Sequence, residues 1–213
     1  MKSAVYQRHQ RRQDGPGASP QRQRASRALG VCYDDFMKIA IVGAESTGKT
    51  ELSRQLAQHL HRPAQPVRLL PELLRHWCDS QGRTPRADEQ HALLLAQADA
   101  LEQAVTELPG SGHLIADTTP LLTAVFSDYL FGDRSLYRPA IAQQRRYDAT
   151  LLTGLDLPWV ADGIQRDGPQ VRQPVDRLLR TALVQAGLPF CVIYGQGRQR
   201  LGNALRALRN APA

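Results

Sequence analysis

The segment Gly43-Ala44-Glu45-Ser46-Thr47-Gly48-Lys49-Thr50 carries the clearest chemistry in the chain. It fits G-x-x-x-x-G-K-[ST], the pattern of a loop that holds nucleotide phosphates. Gly43 and Gly48 permit backbone angles and a close approach that a Cβ would block. The loop's N–H groups and the start of the next helix then face the phosphates. Lys49 neutralises β- and γ-phosphate charge, and the Thr50 hydroxyl is placed for Mg²⁺. The flanks are the required ones. Residues 39–42 read as a buried strand, and residues 51–60 as an amphipathic helix with Leu52, Leu56, Ala57 and Leu60 on one side. The expected ligands are ATP and Mg²⁺, with GTP left open as the donor.

A phosphate loop needs an acid on a neighbouring strand for the metal. Leu114-Ile115-Ala116-Asp117 is a short apolar strand ending in such an acid. Asp117 is the candidate for metal and base work, because ligands sit at strand C-termini in sheets of this kind. Its rival reading is a helix N-cap for a segment beginning at Thr118. Further on, residues 162–172 contain two glycines, a proline and two arginines, Arg166 and Arg172. They read as a lid whose arginines stabilise charge on a transferring phosphoryl group, or else as a solvated surface loop. No N-K-x-D motif is present, which counts against a switch GTPase, and the chain is short for a motor or helicase. A small-molecule kinase is the favoured class.

These residues need a scaffold. Candidate strands are 38–42, 66–70, 113–117, 157–161 and 190–194. Helical spacing covers 51–60, 87–108, 120–130, 140–152, 175–186 and 198–208. Strands alternating with helices predict an α/β fold, a P-loop three-layer sandwich. It has about five parallel strands, helices on both faces and a small lid.

Composition agrees with one ordinary globular domain. The chain has 213 residues, 42% hydrophobic and 22% charged, with a formal net charge of +7. That charge is unevenly placed. Residues 1–30 hold seven of the 27 Lys/Arg and one of the 20 Asp/Glu, so residues 31–213 keep 20 basic against 19 acidic side chains. The basicity belongs to the leader, which argues against a nucleic-acid partner for the domain. Residues 1–36, rich in Gln, Arg, Ser, Gly and Pro, read as a disordered basic extension preceding a domain over 37–213. Met37 is the expected native start; a transit peptide and a nucleic-acid-binding arm are the rival readings. Cys32, Cys78 and Cys191 are too few and too scattered for a disulfide framework, so free thiols in the cytoplasm are expected. No apolar run approaches the roughly 20 residues of a membrane span. His59, His61, His76, His91 and His113 show no metal-ligand spacing.

Four stretches together resemble the ribosylnicotinamide kinase domain of NadR-like proteins, within the AAA-like P-loop group. They are Gly43–Thr50, Pro71-Glu72-Leu73-Leu74-Arg75, Ile115-Ala116-Asp117-Thr118-Thr119-Pro120-Leu121-Leu122-Thr123 and, most specifically, Pro158-Trp159-Val160-Ala161-Asp162-Gly163. The resemblance spans about residues 37–210. It implies ATP-dependent phosphorylation of the 5′-hydroxyl of nicotinamide riboside, giving nicotinamide mononucleotide for NAD salvage. On that footing Glu72 holds the ribose or takes its proton, with Asp117 as the rival base. Trp159 stacks on a cationic nicotinamide ring or packs as a core aromatic. Asp162 accepts ribose hydroxyls or opens a turn before Gly163. Arg75 meets the product phosphate or pairs on a helix face. Arg198, in Gly195-Gln196-Gly197-Arg198, falls in a loop resembling the adenine cup of small P-loop kinases. The chain also departs from the bifunctional NadR form. It has no H-x-G-H transferase motif, and its leader is too short and Pro/Gly-rich for a helix-turn-helix, so a stand-alone kinase is expected. Gln165 stands where that form has an arginine, with Arg166 following, which leaves open which arginine caps the γ-phosphate. A small-molecule substrate is the expected partner, and a homo-oligomer is left open. The alternatives are a kinase for another nucleoside or small alcohol, and a regulatory ATP-binding module.

Overall fold

The structure, a computed structural model, describes residues 36–108, 112–161 and 168–210. The leader expected over 1–36 lies outside these residues up to position 35, as do Asp162 and Arg166.

In chain order the elements are β1 (Met37–Val42), α1 (Lys49–Leu60), β2 (Val67–Leu70), α2 (Leu73–Gln81), α3 (Gln90–Glu107), β3 (His113–Asp117) and α4 (Pro120–Phe131). There follow α5 (Tyr137–Gln144), β4 (Ala149–Thr153), α6 (Arg172–Gln185), β5 (Cys191–Ile193) and α7 (Gly197–Arg209). The five strands form one parallel sheet in the order β2-β3-β1-β4-β5. β1 sits at the centre, and the chain builds outward from it in both directions, so the crevice at its C-terminal end is the switch point where such sheets bind ligands.

Period-two alternation assigns the two faces of the sheet. Ile39 and Ile41 on β1, Ile115 on β3 and Leu151 on β4 pack with Leu52 and Leu56 of α1 and Ala204 and Leu208 of α7. Val42 and Leu152 point the other way, into Leu121 and Val125 of α4 and Val175, Leu179 and Leu183 of α6. This is the expected three-layer sandwich. No helix among the described residues is long and apolar enough to cross a membrane.

Two expectations fail. The helix expected over 140–152 is α5, ending at Gln144, followed by the strand β4. Ala149-Thr150-Leu151-Leu152-Thr153 is buried at every position, so it lacks the alternation that marks a half-exposed strand, and its apolar run reads equally as buried helix. The strand expected over 157–161 does not exist: these residues have no regular structure and Val160 is 61% exposed. One helix, α2, has no counterpart among the helical spans expected, although a helix face was one reading of Arg75.

Candidate functional site

The loop after β1 has the geometry its sequence requires. Gly43 has φ 156, and a Cβ there would lie 2.0 Å from the Thr153 hydroxyl oxygen. Gly48 has φ 75, with a Cβ position 2.9 Å from Leu157. Neither place admits a side chain without displacing a neighbour. Thr47 is fully buried; its hydroxyl donates to the Ala44 carbonyl at 2.7 Å and meets the Thr153 hydroxyl at 2.6 Å. Lys49 opens α1, and its Nζ donates to the same Ala44 carbonyl at 2.9 Å. The ammonium therefore lies folded back along the loop whose N–H groups it serves.

Parallel pairing brings Asp117 to this loop. Ile41 lies opposite Asp117 in the β1–β3 register, two residues before Gly43. Burial is the main influence on its carboxyl and raises the pKa; the Thr50 hydroxyl and the Lys49 charge oppose that, while Glu72 adds to it. Asp117 Oδ1 is buried with no hydrogen-bond partner. The N-cap of α4 is Thr119, with Pro120 behind it, so the N-cap reading of Asp117 is set aside. An oxygen left bare beside a Thr hydroxyl is a fit for a hard divalent cation. Among the described residues no cluster of three or more His, Cys, Asp or Glu is available for a metal. Mg²⁺ here would lean on nucleotide phosphates for its other ligands, which is its ordinary habit.

A cavity opens beside Lys49 and Ser46. Glu72 and Arg75 line its polar side; Leu122, Phe126 and Leu130 line an apolar one. Glu72 is the N-cap residue of α2 and pairs with Arg75 across 3.6 Å. Arg75 thus both makes the helix-face pair and faces the cavity. Cys78 also lines it, and burial pushes its thiol up to about 11, so it stays protonated and inert. Arg83 grips Glu89 through two bonds of 2.7 Å and so clamps the turn carrying Thr84 and Pro85 to the cavity wall.

The Pro158-Trp159-Val160 stretch reaches the site by a route other than a strand. The Ser46 hydroxyl donates to the Val160 carbonyl at 2.7 Å and accepts from its N–H at 3.1 Å. One phosphate-loop side chain thus clips the residues just before the expected lid. Trp159 is half-buried and its Nε1 is buried without a hydrogen-bond partner.

One arginine stands elsewhere than expected. Arg172, at the start of α6, is 9% exposed, and its guanidinium donates to the carbonyls of Leu155 (3.3 Å) and Leu157 (2.8 Å). It braces the loop that packs on Gly48, and those bonds stand against its reading as a free lid arginine. Arg198 is exposed on α7. Two residues on, Arg200 is 4% exposed and does the positioning. It donates to the Thr47 carbonyl, to the Gly195 carbonyl at 2.7 Å and to Asp156 Oδ1 at 2.7 Å. The signal was present: Arg200, Ala204, Leu205 and Leu208 share the buried face of α7, and an arginine on an apolar stripe must have partners.

Thr118 was also missed. Its φ is 83, and with Ser46 (φ 53) it is one of two non-glycine residues with positive φ among those described. For a β-branched residue this backbone costs of order 1–3 kcal/mol, and such strain gathers at functional sites.

The family profile described as an AAA domain matches residues 38–200. No curated protein sequence matches the chain significantly. Among solved structures, a NadR protein in complex with NAD and AMP-PNP superposes with TM-score 0.63 at 21% identity, over 82% of this chain and 49% of that one. NadR in complex with NR gives 0.64 at 20%, with the same coverage. The chain thus spans about half the length of these NadR chains. Thymidylate kinase from Ehrlichia chaffeensis gives 0.57 at 13%, over 82% and 99%. Deoxyadenosine kinase from M. mycoides with bound dATP gives 0.53 at 15%, over 82% and 100%. At these identities the likeness is one of fold.

Proposed function

The chain belongs to the AAA domain family of P-loop proteins, and from that premise we propose that it is a kinase transferring the γ-phosphoryl group of ATP to the 5′-hydroxyl of nicotinamide riboside. One observation carries the reading. A single cavity joins Lys49 and Ser46 of the phosphate loop to Glu72, Arg75 and an apolar wall. A donor phosphate and a nucleoside with a flat, weakly hydrated ring can therefore meet there. The fold shared with NadR structures that hold NR, or NAD and AMP-PNP, supports nicotinamide riboside as the acceptor to test first. Residues 37–213 form the kinase domain in this reading.

The hydroxyl oxygen of the acceptor attacks the γ-phosphorus. The new P–O bond forms as the bond to the β,γ-bridging oxygen breaks, ADP departs, and the hydroxyl proton passes to a carboxylate. Glu72 faces the cavity and takes that proton. Arg75 beside it holds the charge of the product phosphate. Lys49 and the loop N–H groups stabilise the transferring group and the leaving ADP. Thr50 and Asp117 are the residues that would hold Mg²⁺, which supplies charge neutralisation on the phosphate oxygens. Trp159 covers the acceptor's ring, where a cationic nicotinamide gains from the indole face. Asp162 serves the ribose, Arg166 of the lid the γ-phosphate, and the backbone around Arg198 the adenine.

ADP release across a panel of nucleosides, with ATP and Mg²⁺, tests the reading. Nicotinamide riboside is expected to turn over, and Lys49→Ala to lower the rate by roughly a hundredfold or more. Turnover of other nucleosides but not this one removes the substrate assignment. ATP binding without turnover of any acceptor points to a regulatory ATP-binding module instead.

A further inference from the structure

Buried hydroxyls among the described residues are almost all spoken for. Thr47 bonds the Ala44 carbonyl, Ser53 the Thr50 carbonyl and Thr153 the Val42 carbonyl. Thr119 donates to Gln144 Oε1 at 2.7 Å, Thr123 to Gln97 Oε1 at 2.8 Å, and Thr150 accepts from Gln144 Nε2 at 2.9 Å. Thr118 is the exception among the described residues. The residue is 8% exposed and its Oγ1 is buried with no hydrogen-bond partner.

Its backbone deepens the anomaly. The φ of 83 suits glycine, yet a β-branched residue occupies the position. The Thr118 N–H donates to the Ile41 carbonyl at 3.0 Å, so the strained residue is tied to the strand that leads into the phosphate loop. Packing alone would be served better by glycine, which removes the strain, or by valine, which removes the unmet hydroxyl. The preceding residue, Asp117, likewise has a buried and bare oxygen, Oδ1. Two unpaired oxygens on consecutive residues, at the strand end nearest the phosphate loop, share one explanation: their partner arrives with the ligand.

We propose that Thr118 is a further positioning residue of this site, its hydroxyl acting with Asp117 Oδ1 to hydrogen-bond the hydrated Mg²⁺ that accompanies the nucleotide. The proposal rests on the nucleotide-site part of the reading above and is independent of the acceptor's identity. A hydroxyl outside the metal's own ligands but fixed by a strained backbone orients the shell around the ion, and losing such a group costs roughly 10–100-fold in metal affinity.

The experiment compares the parent with Thr118→Val and Thr118→Ser in two measurements. The first is thermal unfolding without nucleotide or metal. Thr118→Val keeps the branched shape and deletes only the hydroxyl, so it is expected to melt at or above the parent temperature. A hydroxyl bonded within the fold would instead make this variant melt lower, which overturns the proposal. The second is calorimetric binding of ADP with Mg²⁺ and with EDTA. Thr118→Val is expected to lose roughly tenfold of the Mg²⁺-dependent enhancement while binding metal-free ADP as the parent does. Thr118→Ser is expected to retain that enhancement. Equal enhancement in Thr118→Val and the parent overturns the proposal. Failure of the parent itself to bind ADP with Mg²⁺ overturns the nucleotide-site reading and this inference with it. Failure confined to nicotinamide riboside turnover touches only the substrate assignment.

Discussion

Replacing Arg200 with Met asks how much of the phosphate loop's shape depends on the far end of the chain. The Arg200 side chain is 5% exposed and that of Asp156 is 30%. Its guanidinium joins three separate segments through the Thr47 carbonyl, the Gly195 carbonyl and Asp156. Met preserves the packing of the stem and deletes all three bonds. Each hydrogen bond from a charged donor is worth about 1.5–3 kcal/mol. The Asp156 bond counts for less, because that carboxylate rehydrates once freed. Set against these losses is the relief of burying a cation; that burial is the chief influence lowering the pKa of Arg200. The net loss is about 3 kcal/mol, which for a domain of this size lowers Tm by roughly 6–12 °C. Arg200→Lys is expected to recover less than half of it, since an ammonium cannot reach three acceptors spread around a planar fork. Fluorimetric melting with and without Mg·ADP measures both stability and loop competence. Because Thr47 lies in the loop, the shift produced by Mg·ADP is expected to shrink as well. An Arg200→Met protein melting within about 2 °C of the parent, with an unchanged Mg·ADP shift, would refute the tether.

Two more predictions follow from the site. Asp117→Asn keeps the shape and removes a charge that burial disfavours, so metal-free protein is expected to melt higher at neutral pH while turnover collapses. The raised folded pKa means that the parent loses stability as pH rises above the ordinary Asp value, so the advantage of Asn fades below about pH 4. A lower Tm for Asp117→Asn at neutral pH contradicts this. Glu89, gripped by Arg83, has its carboxyl lowered from 4.5 to about 2. The stability it contributes is present above 4.5 and lost as pH falls towards about 2. Glu89→Gln is therefore expected to lower Tm at neutral pH, converge with the parent in acid, and raise the acceptor KM by loosening the Thr84–Pro85 turn; parallel pH curves for the two proteins argue otherwise.

The phosphate loop was legible in the sequence because its constraints are local. Gly43 and Gly48 answer to backbone angles, Lys49 and Thr50 to a helix start, and all lie within eight residues. The five-strand alternating architecture was legible too, since burial on both faces of a parallel sheet leaves apolar runs between helices. β4 and the stretch over 157–161 were exchanged for the same reason. A five-residue apolar run has no period to read, and Trp159-Val160 looks like strand until Ser46 is seen to hold its backbone.

By itself, then, the sequence determined a nucleotide-phosphate loop on an α/β sheet and named the acids and bases available to it. The tertiary structure decided which of them meet. Parallel register set Asp117 beside the loop, the packing of α2 turned Glu72 and Arg75 into the cavity, and burial on α7 gave the structural task to Arg200 and left Arg198 in solvent. Spacing along the chain reports what a residue can do within a turn or two of its own backbone. Which charge is buried, and which hydroxyl lacks a partner, depends on segments more than a hundred residues apart, and folding alone brings those together.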